Sequence, residues 1–353
     1  MIAATCRTTL KDIARIAGVS RMTVSLALRN APSLPETTRS RIKSIAERLG
    51  YQPDPDLIRF MEVIRAKKQK GAPSKIAYLT AYDNRSDWRK ESTQWLYFDG
   101  AHARARECGY VLEEYWLREP GMTDRRLSEI IRNRGIDGII VAPLPGHEPI
   151  FDGFCWDYAS SVELGYSLSR PALNRACNHQ FQSMMLLYLT LSDFGYSKIA
   201  LAMPRNQDER VNHHWRAAFL TGQSLRVGSA RKLAPFLPEK WSRSAFEIWF
   251  RKNRPDCVIT IGKDIAGWLL RMGLKTPQDI GLANVDLSPD MHGITGIDQN
   301  SRKVGAAAVD LLISQMRHNE RGIPAVPRIV MVEGGFVRGT TTLNRRQESK
   351  SLS

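Results

Sequence analysis

The chain has 353 residues, of which 42% are hydrophobic and 25% charged, and its formal net charge is +15. This length predicts two or three domains, and the composition excludes a disordered or fibrous protein. No run of about 18 apolar residues occurs, which argues against a membrane span. The large positive charge favours an anionic partner, most simply nucleic acid.

The positive charge is concentrated at the front of the chain. Residues 1–70 contain 14 Lys or Arg against 6 Asp or Glu, a net charge of +8. We therefore predict a basic nucleic-acid-binding module there. The N-terminus lacks the apolar stretch of a signal peptide, and the five widely spaced cysteines form no CxxC pair. We expect reduced thiols in a cytoplasm, close to the nucleoid, with no metal and no cofactor.

The first 50 residues predict three short helices. LKDIARIA follows Thr9 with apolar residues at every third or fourth position, and Gly18 ends this helix. Ser20 caps MTVSLALR, and ETTRSRIKSIAERLG follows Pro35 as the third helix. Two helices joined by a tight glycine turn, with a third helix closing the core, form a helix-turn-helix domain, which we place at residues 7–52.

A basic segment separates this domain from the rest of the chain. Asp54 and Pro55 form a typical helix start, and a lysine-rich run precedes Gly71 and Pro73. We predict a hinge helix and linker over residues 53–72.

Strands and helices alternate from residue 75 onward. The predicted strands include KIAYLTAY, YVLEEYWL, DGIIVAPL, SSVELGYSL, KIALAMP, DCVITIG and IGLANVD, most of them separated by helical segments. This alternation predicts parallel sheets with helices on both faces. We expect two α/β subdomains, with a ligand cleft at the carboxyl ends of the strands.

Two stretches carry a family resemblance. TLKDIARIAGVSRMTVSLALRN and ETTRSRIKSIAERLGYQP resemble, without a gap over residues 8–53, the lactose-repressor (LacI/GalR) family of bacterial transcription regulators. DGIIVAP, PQDIGLANVDL, GIDQNSRKVGAAAVDLLI and VRGTTT follow in family order. The resemblance implies a periplasmic-binding-protein-like sensor whose two discontinuous subdomains are joined by three crossovers. We place this effector-binding and dimerisation domain at residues 73–343, before a polar tail at 344–353.

The resemblance also implies a function. Members bind a pseudo-palindromic operator in double-stranded DNA as a homodimer or larger assembly, and a small molecule in the sensor cleft changes their affinity for DNA. We therefore expect a transcriptional repressor with a sugar or sugar-like effector. No tetramerising heptad is visible in the C-terminal tail, which favours a dimer.

The second helix fits the requirements of a recognition helix on physical grounds. Val24 and Leu28 face inward, while the other side chains are mostly short, polar or forked. By resemblance, Arg21, Met22 and Ser25 lie where the family reads bases, and Arg29 follows at the helix end. Arg21 either contacts guanine in a bidentate manner or binds phosphate, and Met22 offers only apolar contact. The resemblance further implies phosphate contacts from Ser20, Thr23, Ser25, Thr38 and Tyr51.

Two positions depart from the family pattern. Leu26 stands where some members carry a base-contacting Arg or His, so the operator sequence of better-known relatives does not transfer. Phe60 occupies the position of the leucine that the family inserts into the minor groove. It acts either as an aromatic wedge or as an interhelical dimer contact, and both alternatives stay open. The neighbouring carboxylates, Asp54 and Asp56, replace the usual Asn and small or basic residues.

The resemblance places effector residues near the ends of the sensor strands. Asp286 matches a family aspartate that often bonds ligand hydroxyls, and Gln299 matches a position that lines the cleft or its crossover. DERVNHHWRAAF resembles the stretch that supplies a ligand-binding Arg, but Trp215 falls at that count. Trp215 stacks on a sugar or is a half-buried core aromatic, and Arg210 or Arg216 can supply the cation.

Gln182, beside Asn178 and His179, is a further candidate for the cleft wall. The family's usual Asn-Asp pair is absent, with Gly262 and Lys263 in its place. That loss leaves open a sensor that only dimerises and binds no free ligand. An enzyme is the third class of function, and the chain shows no GxSxG, P-loop, GxGxxG or HExxH motif, so we expect none.

Overall fold

The computed structural model describes residues 8–31, 33–51, 73–145, 151–225 and 232–347. The predicted hinge at 53–72, including Phe60, lies outside these residues. The α-helices in the described part are α1 (Leu10–Ala17), α2 (Arg21–Leu28), α3 (Glu36–Arg48), α4 (Ser92–Glu107), α5 (Asp124–Asn133), α6 (Gln180–Asp193), α7 (Arg205–Arg210), α8 (His214–Leu225), α9 (Arg243–Asn253), α10 (Asp264–Arg271) and α11 (Ser301–His318).

The β-strands form two separate sheets. They are β1 (Ser74–Thr80), β2 (Tyr110–Trp116), β3 (Gly138–Val141), β4 (Ser160–Leu164), β5 (Asn174–Asn178), β6 (Ile199–Leu201), β7 (Cys257–Thr260), β8 (Gly281–Asn284), β9 (Thr295–Asp298), β10 (Ile329–Val332) and β11 (Gly335–Val337). The first sheet has the order β10-β5-β4-β3-β1-β2 and is parallel throughout. The second has the order β11-β9-β8-β7-β6, in which β11 pairs antiparallel with β9.

The three N-terminal helices pack around a small apolar core, which confirms the predicted helix-turn-helix fold. Thr9 and Asp12 form a capping box at the start of α1, and Gly18 ends this helix in the left-handed conformation, with φ of 65°. Each helix contributes at least one fully buried side chain to this core, among them Ile13, Val24 and Ile42.

The chain passes three times between the two sheets, as the family resemblance implies. It leaves the first sheet after β5 into α6, returns after β9 into α11, and crosses again between β10 and β11. Each subdomain is therefore assembled from discontinuous segments. Helices cover both faces of the first sheet, with α4 and α11 on one side and α5 on the other.

Some elements were not predicted from the sequence. The short α7 is a polar run, RNQDER, and β10 and β11 are short strands with mostly exposed side chains. None of these segments shows the apolar periodicity on which the predictions rest.

Helices α4 and α11 approach each other at two glycines. A Cβ added to Gly305 would lie 2.0 Å from the carbonyl oxygen of Tyr97, and one added to Gly100 would lie 1.9 Å from that of Arg302. The two helix backbones thus touch directly. Because α4 lines the cleft and α11 begins at a crossover, this contact joins the wall of the cleft to that crossover.

In the described part of the chain, no helix is both long enough and apolar enough to span a bilayer. The four cysteines in this part are free thiols.

Candidate nucleic-acid interface and ligand cleft

The start of α2 is fixed by its own side chains. The Ser20 hydroxyl accepts a hydrogen bond from the backbone N–H of Thr23 at 3.0 Å, and the two hydroxyls lie 2.8 Å apart. This cap holds both hydroxyls at the exposed N-terminal end of the helix. Backbone N–H groups at such an end attract phosphate.

The two faces of α2 differ in burial. Val24 and Ala27 are completely buried against α1 and α3, whereas Arg21 is exposed and Met22 is 73% exposed. Leu26 is half-buried, between the two faces. The exposed face therefore carries Arg21 and Met22, two of the residues that the resemblance assigns to DNA.

Ser25 and Arg29 form one unit on the outside of the domain. The Arg29 guanidinium donates to the Ser25 hydroxyl at 2.7 Å and to the Ser25 carbonyl oxygen at 3.1 Å. Ser25 is thereby oriented, with a cation beside its hydroxyl. Thr38, in the first turn of α3, and Tyr51, just beyond α3, are half-buried at the edge of the same small domain.

A hydrogen bond closes the cleft between the two subdomains on the α4 side. The hydroxyl of Thr93, in the first turn of α4, donates to a carboxylate oxygen of Asp286 at 3.1 Å. Burial raises the pKa of Asp286 to about 6, while Thr93 and the charge of Arg210 act in the opposite direction. Asp286 thus lies at the subdomain boundary, as the sequence predicts.

Arg210 reaches the same boundary from the end of α7. It interacts electrostatically with Asp286 and with the hydroxyl of Tyr82, which follows β1 in the other subdomain. Burial raises the pKa of Tyr82, and Arg210 lowers it. The Gln94 amide donates to the Tyr82 hydroxyl, while its buried carbonyl oxygen has no partner among the described residues.

Gln299 lies in the crossover between β9 and α11, and its side chain is hydrogen-bonded within the protein. Its amide donates to the carbonyl oxygen of Val285 at 2.6 Å, and its own carbonyl accepts from Ser183 at 3.0 Å. Asn178, the last residue of β5, donates to the Gln299 backbone carbonyl and accepts from the Tyr97 hydroxyl. These contacts join the crossover after β5 to the crossover after β9. They also occupy the side-chain amides of Gln299 and Asn178, which a ligand would otherwise use.

Two other predicted effector residues, Trp215 and Gln182, differ in burial. Trp215 is only 2% exposed and packs in the core of the second subdomain, so its ring offers no face for stacking on a sugar. Its indole nitrogen is buried without a hydrogen-bond partner in the described residues. Gln182 is exposed in the first turn of α6, and its backbone N–H donates to the His179 ring at 3.4 Å.

A second contact crosses the boundary beside Trp215. The ring of His214 meets the edge of Tyr166 with centroids 4.9 Å apart, and the guanidinium of Arg175 lies 4.5 Å from the centroid of the Tyr166 ring. Burial is the main cause that lowers the pKa of His214. Arg175 also pairs with the buried carboxylate of Glu163, whose pKa burial raises to about 7.

Sequence reasoning missed several residues of the cleft. Thr93, Gln94 and Tyr97 share one face of the α4 N-terminal half, and Tyr82 ends a stretch that was predicted only as a strand. Polar residues after a parallel strand and at the start of the following helix are the available signal, because such positions meet at the carboxyl edge of a sheet.

Comparison with family models gives two matches. Residues 9–54 match the model of the lacI family of bacterial regulatory proteins, and residues 189–342 match that of the periplasmic binding protein-like domain. The first match contains the whole of α1 to α3, and the second contains the second sheet together with α11 and β10.

Curated relatives cover most of the chain at low identity. The HTH-type transcriptional regulator TreR of Escherichia coli (strain K12) is 24% identical over 326 residues, which span 88% of this chain and 94% of TreR. The probable HTH-type transcriptional repressor ExuR of Bacillus subtilis (strain 168) is 50% identical over 46 residues, 13% of this chain and 14% of ExuR.

Solved structures share the fold. The lac repressor dimer bound to operator and the anti-inducer ONPF has a TM-score of 0.56 at 18% identity, covering 96% of this chain and 99% of that one. The complex of the transcriptional regulator CelR with cellobiose has a TM-score of 0.55 at 16% identity, covering 95% of this chain and 100% of that one.

Proposed function

The chain belongs to the LacI family of bacterial regulatory proteins, and from this premise we propose that it is a sequence-specific transcriptional repressor controlled by a small molecule. It binds double-stranded operator DNA as a homodimer in the cytoplasm, associated with the nucleoid. A sugar or sugar derivative in the cleft between the subdomains sets its affinity for the operator.

The observation that carries the DNA-binding part of the proposal is that one face of α2 is buried and the other is exposed. Its inner face is held by Val24 and Ala27, and its outer face keeps polar and cationic groups in solvent. For DNA contact we propose Ser20, Arg21, Met22, Thr23, Ser25, Arg29, Thr38, Tyr51 and, outside the described residues, Phe60.

The effector part rests on Asp286 at the subdomain boundary and on the positive charge of Arg210, which acts electrostatically on this carboxyl group. A carboxylate and a cation together suit a polyhydroxylated ligand, because one accepts and the other donates hydrogen bonds. Cellobiose in CelR, and glucose in a CCPA structure with a TM-score of 0.54, lend further support to a sugar. We retain Gln299 and Gln182 as weaker candidates for effector contact.

Selection of an operator from random duplexes, followed by titration at fixed salt, tests DNA binding. Arg21→Ala is expected to weaken operator binding by about 1–3 kcal/mol, because a forked donor at a base edge or phosphate is lost. Arg125→Ala, which removes an equal charge from exposed α5, serves as the control. Equal affinity of Arg21→Ala and wild type would remove Arg21 from the reading set.

A second candidate is a DNA-binding protein whose sensor only dimerises. The Thr93–Asp286 bond and the internal bonding of Gln299 favour it, because they occupy the groups that a ligand would use. A sugar panel separates the two functions: at 100 times its dissociation constant, a true effector adds about 2.7 kcal/mol to the free energy of unfolding. We propose no enzymatic activity for either function.

A further inference from the structure

The turn after the recognition helix makes a polar contact with the sensor. The side-chain amide of Asn319, just past the end of α11, donates a hydrogen bond to the carbonyl oxygen of Asn30 at 2.5 Å. Asn30 lies two residues beyond the last residue of α2. This bond ties the end of the recognition helix to the end of the longest described helix of the sensor.

The Asn319 amide is oriented for this contact by its neighbours. Arg321 donates to its carbonyl oxygen at 2.9 Å and to the carbonyl of Tyr158 at 2.7 Å. Since a guanidinium has no acceptor, the oxygen of the amide must face Arg321 and the nitrogen must face Asn30. Asn319 itself has φ of 53°, a left-handed conformation that asparagine tolerates better than most residues.

The acceptor side is also held in place. Asn30 has φ of 57°, and its carbonyl oxygen receives a second, longer hydrogen bond from Arg39 of α3 at 3.4 Å. Arg39 donates in addition to the carbonyl of Ala31 at 3.2 Å. The turn therefore presents a fixed carbonyl to Asn319.

The contact leaves the proposed DNA face free. Arg21 and Met22 lie at the opposite end of α2, about 10 Å along the helix axis from its last residue. Both side chains remain exposed while Asn30 is engaged. A domain that is already held in place loses less rotational freedom when it binds DNA, which favours binding.

We infer that the C-terminal end of α11, at Asn319 and Arg321, is a docking surface for the helix-turn-helix domain, which it holds with the recognition face outward. The expected effect of this docking on operator affinity rests on the proposed function. The docking itself does not depend on DNA. α11 begins at the crossover beside Gln299, next to the cleft. The docking surface therefore lies at the opposite end of a helix that starts at the cleft.

Asn319→Asp in the full chain is the test. Aspartate keeps the acceptor for Arg321 and tolerates the left-handed backbone, but it has no N–H and repels the Asn30 carbonyl. Asn133→Asp at the end of α5 adds the same charge at the same edge of the first sheet and is the matched control. Asn319→Gly, which keeps the backbone conformation and removes the side chain, is the second variant.

Hydrogen exchange at the amides of Asn30 and Ala31 is measured first, without DNA. Loss of the bond is expected to speed exchange about fivefold in both Asn319 variants and less than twofold in Asn133→Asp. The dissociation constant for the selected operator is expected to rise by a similar factor. Unchanged exchange in both Asn319 variants overturns the docking surface. Faster exchange with unchanged operator affinity overturns its positioning role, and a wild-type chain that binds no DNA overturns only the proposed function.

Discussion

Among single residues, Asp286 combines partial burial, one hydrogen bond and a pKa of about 6. A carboxyl group whose pKa is higher in the folded than in the unfolded chain binds more protons when folded. Its contribution to stability is therefore complete below about pH 4, is lost as the pH rises to about 6, and changes no further above that.

Asp286→Asn removes this pH dependence and keeps an acceptor for Thr93. Between pH 4 and 6.5 the variant is expected to gain on the order of 2–3 kcal/mol in free energy of unfolding relative to wild type. Thermal or urea unfolding across this range checks the prediction. Asp290→Asn is the control: the pKa of Asp290 is lowered to about 2 by Lys263, so its effect falls at lower pH. A wild-type–variant difference that stays constant with pH would contradict the role given to Asp286.

Among the elements, the α4–α11 pair has the closest described contact between helix backbones. Gly305→Ala is expected to destabilise the chain by about 3 kcal/mol, because the added methyl group overlaps the Tyr97 carbonyl and the helices must separate. This loss exceeds the helix propensity that alanine gains over glycine, about 1 kcal/mol. Urea unfolding provides the measurement.

Gly267→Ala in α10 is the matched control for this contact. A Cβ at Gly267 meets no atom within 4 Å, so only the gain in helix propensity remains and the variant is expected to be slightly more stable than wild type. Equal stability of the Gly305 and Gly267 variants would show that α4 and α11 can move apart without cost.

How far the elements follow from the sequence depends on their periodicity. α1 to α3 carry apolar residues at helical spacing, with Ser20 and Gly18 at their boundaries, and could be predicted with their caps. β10 (Ile329–Val332) is a short apolar run without alternation, and such a run does not by itself distinguish a strand from a helix segment. The three crossovers came from the family resemblance, and the strand order was not predicted, because periodicity alone does not specify which strands pair.

The candidate sites divide in the same way. Most of the residues proposed for DNA contact lie on α2 or at its two ends, so their grouping is visible in the sequence. The cleft pairs residues far apart in the chain, such as Thr93 with Asp286, and no local pattern predicts that pairing. Trp215 shows the converse: its position suggested a ligand contact, but the packing around it places the ring in the core.

For the whole molecule, the last crossover closes both sheets at once. β10 pairs with β5 in the first sheet, and three residues later β11 pairs with β9 in the second. A chain ending after Arg328 lacks an edge strand in each subdomain. We expect it to lose cooperative thermal unfolding of the sensor while circular dichroism retains a helical signal from α1 to α3. A chain ending after Gln347 keeps both strands and is expected to unfold like wild type.

The same arrangement bears on the order of events during synthesis. The helix-turn-helix domain leaves the ribosome first and contains its entire core within residues 10–51. Both sensor sheets are incomplete until residues 329–337 have been synthesised, more than 270 positions later. At about 5–20 residues per second, the nascent chain carries a folded DNA-binding domain for many seconds before it has a sensor. Regulation by an effector thus begins only after residues 329–337 have been synthesised.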